Sequence, residues 1–293
     1  MRHILENDRL RVAVDDHGAQ IVSIIEKSNG AEYLWQGDPQ FWAGQAPLLF
    51  PICGRLIEGR FTYRGKSYDM NLHGFIRNVD LTVEKEDATS ITLSYRDNEL
   101  TRAQYPFAFL YTVTYELVRN TVRHTFHVTN TGDDVLPFGI GGHPGFNVPL
   151  AEGTEFTDYY IEFSEKTPVR KLILTDTCFM TDRTEPFPLE GGKVYHLHHD
   201  MFDHDAIFLT DMASSVTLKS DKTSRAVTVS YTNMPYLGLW HAPKKEAPYL
   251  CIEPWNGLPA DDGVVDDMAT KKYMNHLKPG EDATFGIDIT IHA

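Results

Sequence analysis

Strict alternation of apolar and polar positions dominates the middle of the chain. In Phe109–Leu117 (FLYTVTYEL), Phe109, Tyr111, Val113, Tyr115 and Leu117 alternate with Leu110, Thr112, Thr114 and Glu116. A period of two, rich in aromatic and β-branched residues, predicts a strand with one buried face. Thr121–Asn130 (TVRHTFHVTN) alternates in the same way, with Val122, His124, Phe126 and Val128 on one face. Arg119-Asn120 between the two runs suits a tight hairpin turn, because Asn tolerates positive φ. Phe61–Met70 reads as a second hairpin, turning at Arg64-Gly65-Lys66. Further strands are expected at Leu10–Val14, Ile21–Lys27, Leu81–Lys85, Ser90–Tyr95, Tyr159–Phe163, Ala206–Leu209, Ser215–Lys219, Ala226–Tyr231 and Thr284–Ile291. No segment longer than about 12 residues carries a capped i, i+3, i+4 apolar stripe, so helices should be few and short. Many short strands separated by turns predict an all-β, antiparallel sandwich or barrel rather than βαβ units. There is no internal repeat, low-complexity tract or Ser/Pro-rich linker, and residues 1–293 are expected to form a single domain.

Composition narrows the function classes. With 41 acidic against 27 basic side chains, the net charge is −14. A field of that sign repels phosphate backbones and anionic lipid, which argues against nucleic-acid or membrane-surface binding as the main task. The N-terminal segment MRHILENDRLRVAV is interrupted by charges at Glu6, Asp8, Arg9 and Arg11, so it holds no signal-peptide core. No stretch of 18 uncharged apolar residues occurs anywhere, and a cytoplasmic protein is expected. Cys53, Cys178 and Cys251 are few, odd in number and widely spaced, which predicts unpaired thiols and no structural zinc site.

Three segments carry polar groups that packing alone does not explain. In Gly139–Asn147 (GIGGHPGFN), four glycines and a proline surround His143 and permit close approach of a ligand. In Pro248–Gly257 (PYLCIEPWNG), Glu253 ends the apolar run Tyr249-Leu250-Cys251-Ile252, just ahead of Pro254 and Trp255. A carboxylate at the end of a buried strand must be hydrogen-bonded or change its pKa, and such placements are enriched at active sites. FPICGRL (Phe50–Leu56) sets Arg55 after a glycine, and LHGF (Leu72–Phe75) sets His73 before one. Each residue read singly has a structural explanation as a turn or strand-end partner. The co-occurrence of a histidine and a carboxylate in Gly, Pro and aromatic settings, with no nucleotide or metal motif, points to acid–base chemistry.

GGHPGFN, CIEPWNG, CGRL followed by LHGF, and the closing LKPGE (Leu277–Glu281) together resemble the aldose 1-epimerase (mutarotase) family over essentially the whole chain. The likeness is greatest to its LacX-type branch. The resemblance implies a large antiparallel β-supersandwich with the site in a concave cleft. By motif, His143 resembles the general acid and Glu253 the general base. Arg55 and His73 resemble residues that hold sugar hydroxyls and the ring-oxygen region. Asp205, in Phe202–Leu209, stands where an aspartate binds sugar hydroxyls, with Asp203 two residues away expected to face the same side of a strand. The sequence departs from galactose mutarotases where Phe75 follows Gly74, and where Gly142-His143-Pro144 carries the acid.

The implied activity is interconversion of the α- and β-anomers of a hexose. A proton leaves the C1 hydroxyl, another reaches the ring oxygen, and the ring opens and recloses. No cofactor or metal is called for, and the expected partner is a small-molecule sugar. Three rivals remain: a non-catalytic carbohydrate-binding protein, a glycoside hydrolase pairing Glu253 with Asp205, and a hexose-phosphate 1-epimerase. The last would draw on extra cations, for which Arg77 and Lys244-Lys245 are candidates.

Overall fold

In the computed structural model, which describes all of residues 1–293, the alternating runs form the backbone of a nine-stranded antiparallel sheet. Its order is Val194–His196, Tyr159–Phe163, Ser215–Ser220, Ala226–Thr232, Asp282–His292, Thr121–Asn130, Phe109–Val118, Ser90–Arg96 and Thr82–Glu86. Register is set by the apolar faces: Tyr115, His124 and Ile287 align across three strands, as do Val113, Phe126 and Phe285. All six are buried. A one-residue slip would turn every one of them to the opposite face.

A second sheet packs over this one, in the order Met180–Pro186, Arg170–Leu174, Ile207–Thr210, Tyr236–Trp240, Tyr249–Asn256, Ile140–Gly142 and Leu48–Leu49. Gly145–Asn147 pairs with the other end of Tyr249–Asn256. A third, four-stranded sheet runs through Arg2–Glu6, Leu10–Asp15, Ile21–Glu26 and Ala31–Glu32. A cluster of 65 buried apolar residues draws on all three. The single α-helix, Glu99–Gln104, is started by a capping box in which the Asn98 side chain accepts from Thr101 N–H and Thr101 Oγ1 accepts from Asn98 N–H. The fold is the expected all-β class, 48% strand and without a helix of seven residues. No helix is long and apolar enough to cross a membrane. The folded surface of 12567 Å² agrees with the roughly 12,600 Å² expected for a compact chain of this mass. Cys53, Cys178 and Cys251 are unpaired.

Two local expectations change. Glu253 does not end its strand: Tyr249–Asn256 continues through Pro254 and Trp255. Proline is tolerated there because the neighbouring ladder is interrupted beside it. Ile140 and Gly141 pair with Asn256 and Trp255, and Gly145 resumes opposite Cys251. The missing N–H of Pro254 therefore falls where no partner waits. Asp203 and Asp205 are not on a strand either, since Ile207–Thr210 begins after them. Asp203 closes a short 3-10 turn with helical backbone, whereas Asp205 has φ of 76°, so the two do not share a strand face.

Candidate active site

The interruption in the ladder is where the site is built. Gly141 faces Trp255 and Gly145 faces Cys251, so the residue in register with Glu253 is His143. Its Nε2 lies 3.2 Å from Glu253 Oε1. On the other side of the strand, Gly238 pairs with Glu253. A Cβ at Gly238 would stand 3.2 Å from Glu253 Cβ and 3.2 Å from the Phe208 ring, so glycine leaves the space the carboxyl group occupies. Leu250 and Ile252 point into the main core, while Tyr249, Cys251 and Trp255 join smaller clusters on the opposite face. Alternation puts Glu253 on that same outer face.

That face is roofed to form a cavity of about 200 Å³. Its wall includes Arg55, His73, His143, Asp205 and Glu253, so the five side chains singled out in the sequence lie together. Arg77 also lines it, whereas Lys244 and Lys245 do not. Trp42, Cys178, Phe208 and Trp240 are further wall residues that the sequence did not single out as site residues. The volume sits below the roughly 300–1,000 Å³ of drug-sized sites and suits one small ring. A larger open groove of about 930 Å³, lined by Asn233, Asn256 and Asn275 among others, contains none of these residues.

The wall is held from behind by paired loops. Gly54 N–H donates to His73 Nδ1 at 3.0 Å, and His73 N–H donates to Gly54 O at 2.8 Å. The acceptor role of Nδ1 puts the proton of a neutral ring on Nε2, making His73 a fixed donor. Ala260 N–H donates to Arg55 O at 2.9 Å, and Pro259 packs against Gly54. Trp42 lies against the His143 ring, with centroids 5.0 Å apart, and Trp240 meets that ring edge-on at 5.6 Å. Trp35 Nε1–H donates to Trp42 O at 2.8 Å and fixes this aromatic wall. Cys178 Sγ donates to Asp205 Oδ2 at 3.1 Å.

Burial governs the charges. The His143 side chain is 12% exposed and that of Glu253 2%. Burial pushes His143 down to about 3, reinforced by the Arg77 charge. It raises Glu253 well above the usual carboxylate range, reinforced by Asp205. His73 is lowered by burial and then by His143, Arg77 and Arg55. Both members of the close pair are thus driven toward their neutral forms. Their contact is not a hydrogen bond: Glu253 Oε1 and His143 Nδ1 are buried without hydrogen-bond partners. An acceptor left free in this way is available to a ligand hydroxyl. Cys251, two residues before Glu253, completes a group of three whose donor atoms all lie within 4.8 Å of one another.

A family model described as aldose 1-epimerase matches residues 1–268. The plasmid and chromosomal LacX proteins of Lactococcus lactis subsp. lactis are each 37% identical over 297 residues, covering 98% of this chain and 98% of theirs. Among solved structures, a galactose mutarotase related enzyme from Lactobacillus acidophilus is 37% identical, with a TM-score of 0.94 over 100% of this chain and 98% of that one. A galactose mutarotase-like protein from Lactobacillus casei ATCC 334 is 29% identical, with a TM-score of 0.94 over 100% of both chains.

Proposed function

Because the chain belongs to the aldose 1-epimerase family, we propose that it interconverts the α- and β-anomers of a hexose, with Glu253 and His143 moving the two protons. The observation that carries this is the 3.2 Å approach of His143 Nε2 to Glu253 Oε1 in the wall of a small cavity.

The pair needs only one proton between its members. With Glu253 as carboxylate and His143 as imidazolium, the carboxylate takes the proton of the C1 hydroxyl while the imidazolium protonates the ring oxygen. The C1–ring-oxygen bond breaks, a carbonyl forms at C1, and the pair is left as carboxylic acid and neutral imidazole. Rotation about C1–C2 presents the other carbonyl face, and closure returns both protons. Burial favours the neutral arrangement, which is the protonation state that accompanies the open-chain aldehyde. Positioned acids and bases contribute roughly 10²- to 10⁴-fold. Arg55 beside the pair stabilises negative charge developing on oxygen. In this reading His73 Nε2–H and the Asp205 carboxylate hold hydroxyls, and Trp42 and Trp240 offer apolar faces to the ring.

The test is a panel of freshly dissolved α-anomers followed by polarimetry or NMR. Acceleration of at least one sugar supports the reading. Binding without acceleration replaces it with a carbohydrate-binding protein. One observation favours including sugar phosphates in the panel: Arg77 lines the cavity with Arg55, and its Nε is buried without a partner.

A further inference from the structure

Cys251 has no part in the acid–base scheme, yet its thiol is packed beside the pair that performs it. On the strand Tyr249–Asn256 it shares a face with Glu253, and on the facing segment its register partner is Gly145. A Cβ at Gly145 would sit 3.4 Å from Cys251 Sγ and 3.1 Å from Trp42, so the absent side chain leaves the thiol next to His143. Imidazole nitrogen, thiol sulfur and carboxyl oxygen lie within 4.8 Å of one another.

We propose that His143, Cys251 and Glu253 form an inhibitory site for a thiophilic divalent cation, zinc or cadmium, whose fourth position faces the sugar cavity. Three arguments support it. The first is the donor set. Nitrogen, sulfur and oxygen together are the mixture zinc takes in open sites with three protein ligands, and a thiolate selects it over magnesium or calcium. The second is distance. Zinc bonds of about 2.0–2.3 Å at tetrahedral angles set donors roughly 3.4–3.6 Å apart. His143 and Glu253 already stand at 3.2 Å, so closure needs a shift of about 1 Å by one buried side chain. The third is the free valence: Glu253 Oε1 is fully enclosed, makes no hydrogen bond and belongs to a residue 1% exposed. Coordination forms metal–nitrogen, metal–sulfur and metal–oxygen bonds and releases the thiol proton, with the carboxyl proton where present, to solvent. No electron is transferred. The metal then occupies both proton-carrying groups. Loss of turnover follows from the acid–base reading given above, whereas binding itself does not depend on it.

The experiment uses the full chain, stripped of metal with a chelator. Zinc is titrated calorimetrically, and cadmium is followed by its thiolate charge-transfer absorption. Expected are one ion per chain, a thiolate band, mutarotation falling in step with occupancy, recovery with chelator, and weaker apparent zinc affinity in the presence of an accepted sugar. Cys251→Ser, assayed against its own metal-free rate, should bind zinc at least about 10- to 100-fold more weakly, since loss of a direct ligand costs no less than loss of a group that only supports one. Absence of the thiolate band on the native chain, or undiminished zinc affinity in Cys251→Ser, overturns the proposal. Should that variant fail to fold, Cys53→Ser/Cys178→Ser leaves Cys251 as the only thiol. A retained band supports the site, and a lost band overturns it. One-to-one binding with a thiolate band and unchanged turnover supports the metal site and overturns the acid–base assignment instead.

Discussion

His143 stands in register with Glu253, at the two-residue break between Ile140–Gly142 and Gly145–Asn147. The ladder on either side of them, Gly141 with Trp255 and Gly145 with Cys251, places them opposite each other although no ladder pair joins the two. The register of the strands that flank this break sets the 3.2 Å approach of their side chains.

The first consequence concerns the pair. Glu253→Gln keeps shape and hydrogen-bonding capacity but removes the basic oxygen, so the rate above background should fall by about 10²-fold or more. His143→Asn should do the same. Sugar affinity, read by calorimetry, should survive in both. Parent-like anomerisation of every accepted sugar by both variants would show that other groups carry the protons.

Gly238 provides a test of register away from the reacting atoms. Gly238→Ala places a methyl 3.2 Å from Glu253 Cβ and from Phe208, on backbone that any residue can adopt. The carboxyl group must swing, and a displacement of that kind should lower kcat by about tenfold or more, with the far-UV spectrum unchanged. Full activity in this variant would mean that the carboxyl has room to spare.

The two cavity arginines should separate by substrate. Arg55→Lys retains charge but loses the planar fork, so a moderate loss is expected in both kcat and KM for any accepted sugar. Arg77→Gln should leave neutral sugars less affected than sugar phosphates, if a phosphate is accepted. An equal loss on both substrate classes would make Arg77 a general wall residue.

Stability should carry a histidine signature from outside the site. His124 is buried against Tyr115, with ring centroids 4.7 Å apart, and both its nitrogens lack partners. Burial lowers it to about 3, against about 6.5 in an unfolded chain. Between those values the unfolded state binds the extra proton, so this contribution is intact above about pH 6.5 and is lost as the pH falls. Replacing the ring with Phe should remove about 1 kcal/mol of the stability loss between pH 7.5 and 5.5, measured by urea unfolding. An unchanged loss would show that His124 titrates freely in the folded chain.

All of the nine-stranded sheet except its short edge strand Val194–His196 was legible in the sequence, because one face of each strand meets the core and the other is more exposed, as in Phe109–Val118. Of the second sheet, only Ile207–Thr210 was expected in place, with the run at Tyr249–Ile252 read as stopping at Glu253. Tyr236–Trp240 and Tyr249–Asn256 are covered on both faces, so their sequences lose alternation, and Pro254 reads as a terminator. Arg55, His73, His143 and Glu253 were visible through their Gly- and Pro-rich motifs, and Asp205 only through the family resemblance. Trp42, Phe208 and Gly238 were not, because each matters only through residues distant in sequence. Of Cys178, only the unpaired thiol could be read. A lone aromatic or glycine in a strand carries no local mark of such a neighbour.

Asp282–His292 lies at the middle of the nine-stranded sheet, between Ala226–Thr232 and Thr121–Asn130, both of which are translated before it. Its Ile287 side chain fills the space beneath Gly142, next to His143. Until this segment has been made, Ala226–Thr232 and Thr121–Asn130 lack the neighbour they share. A chain cut short before this segment lacks both the strand that joins the two parts of the sheet and the Ile287 side chain behind Gly142, so the residues of the cavity are complete in the sequence before the sheet that backs them is.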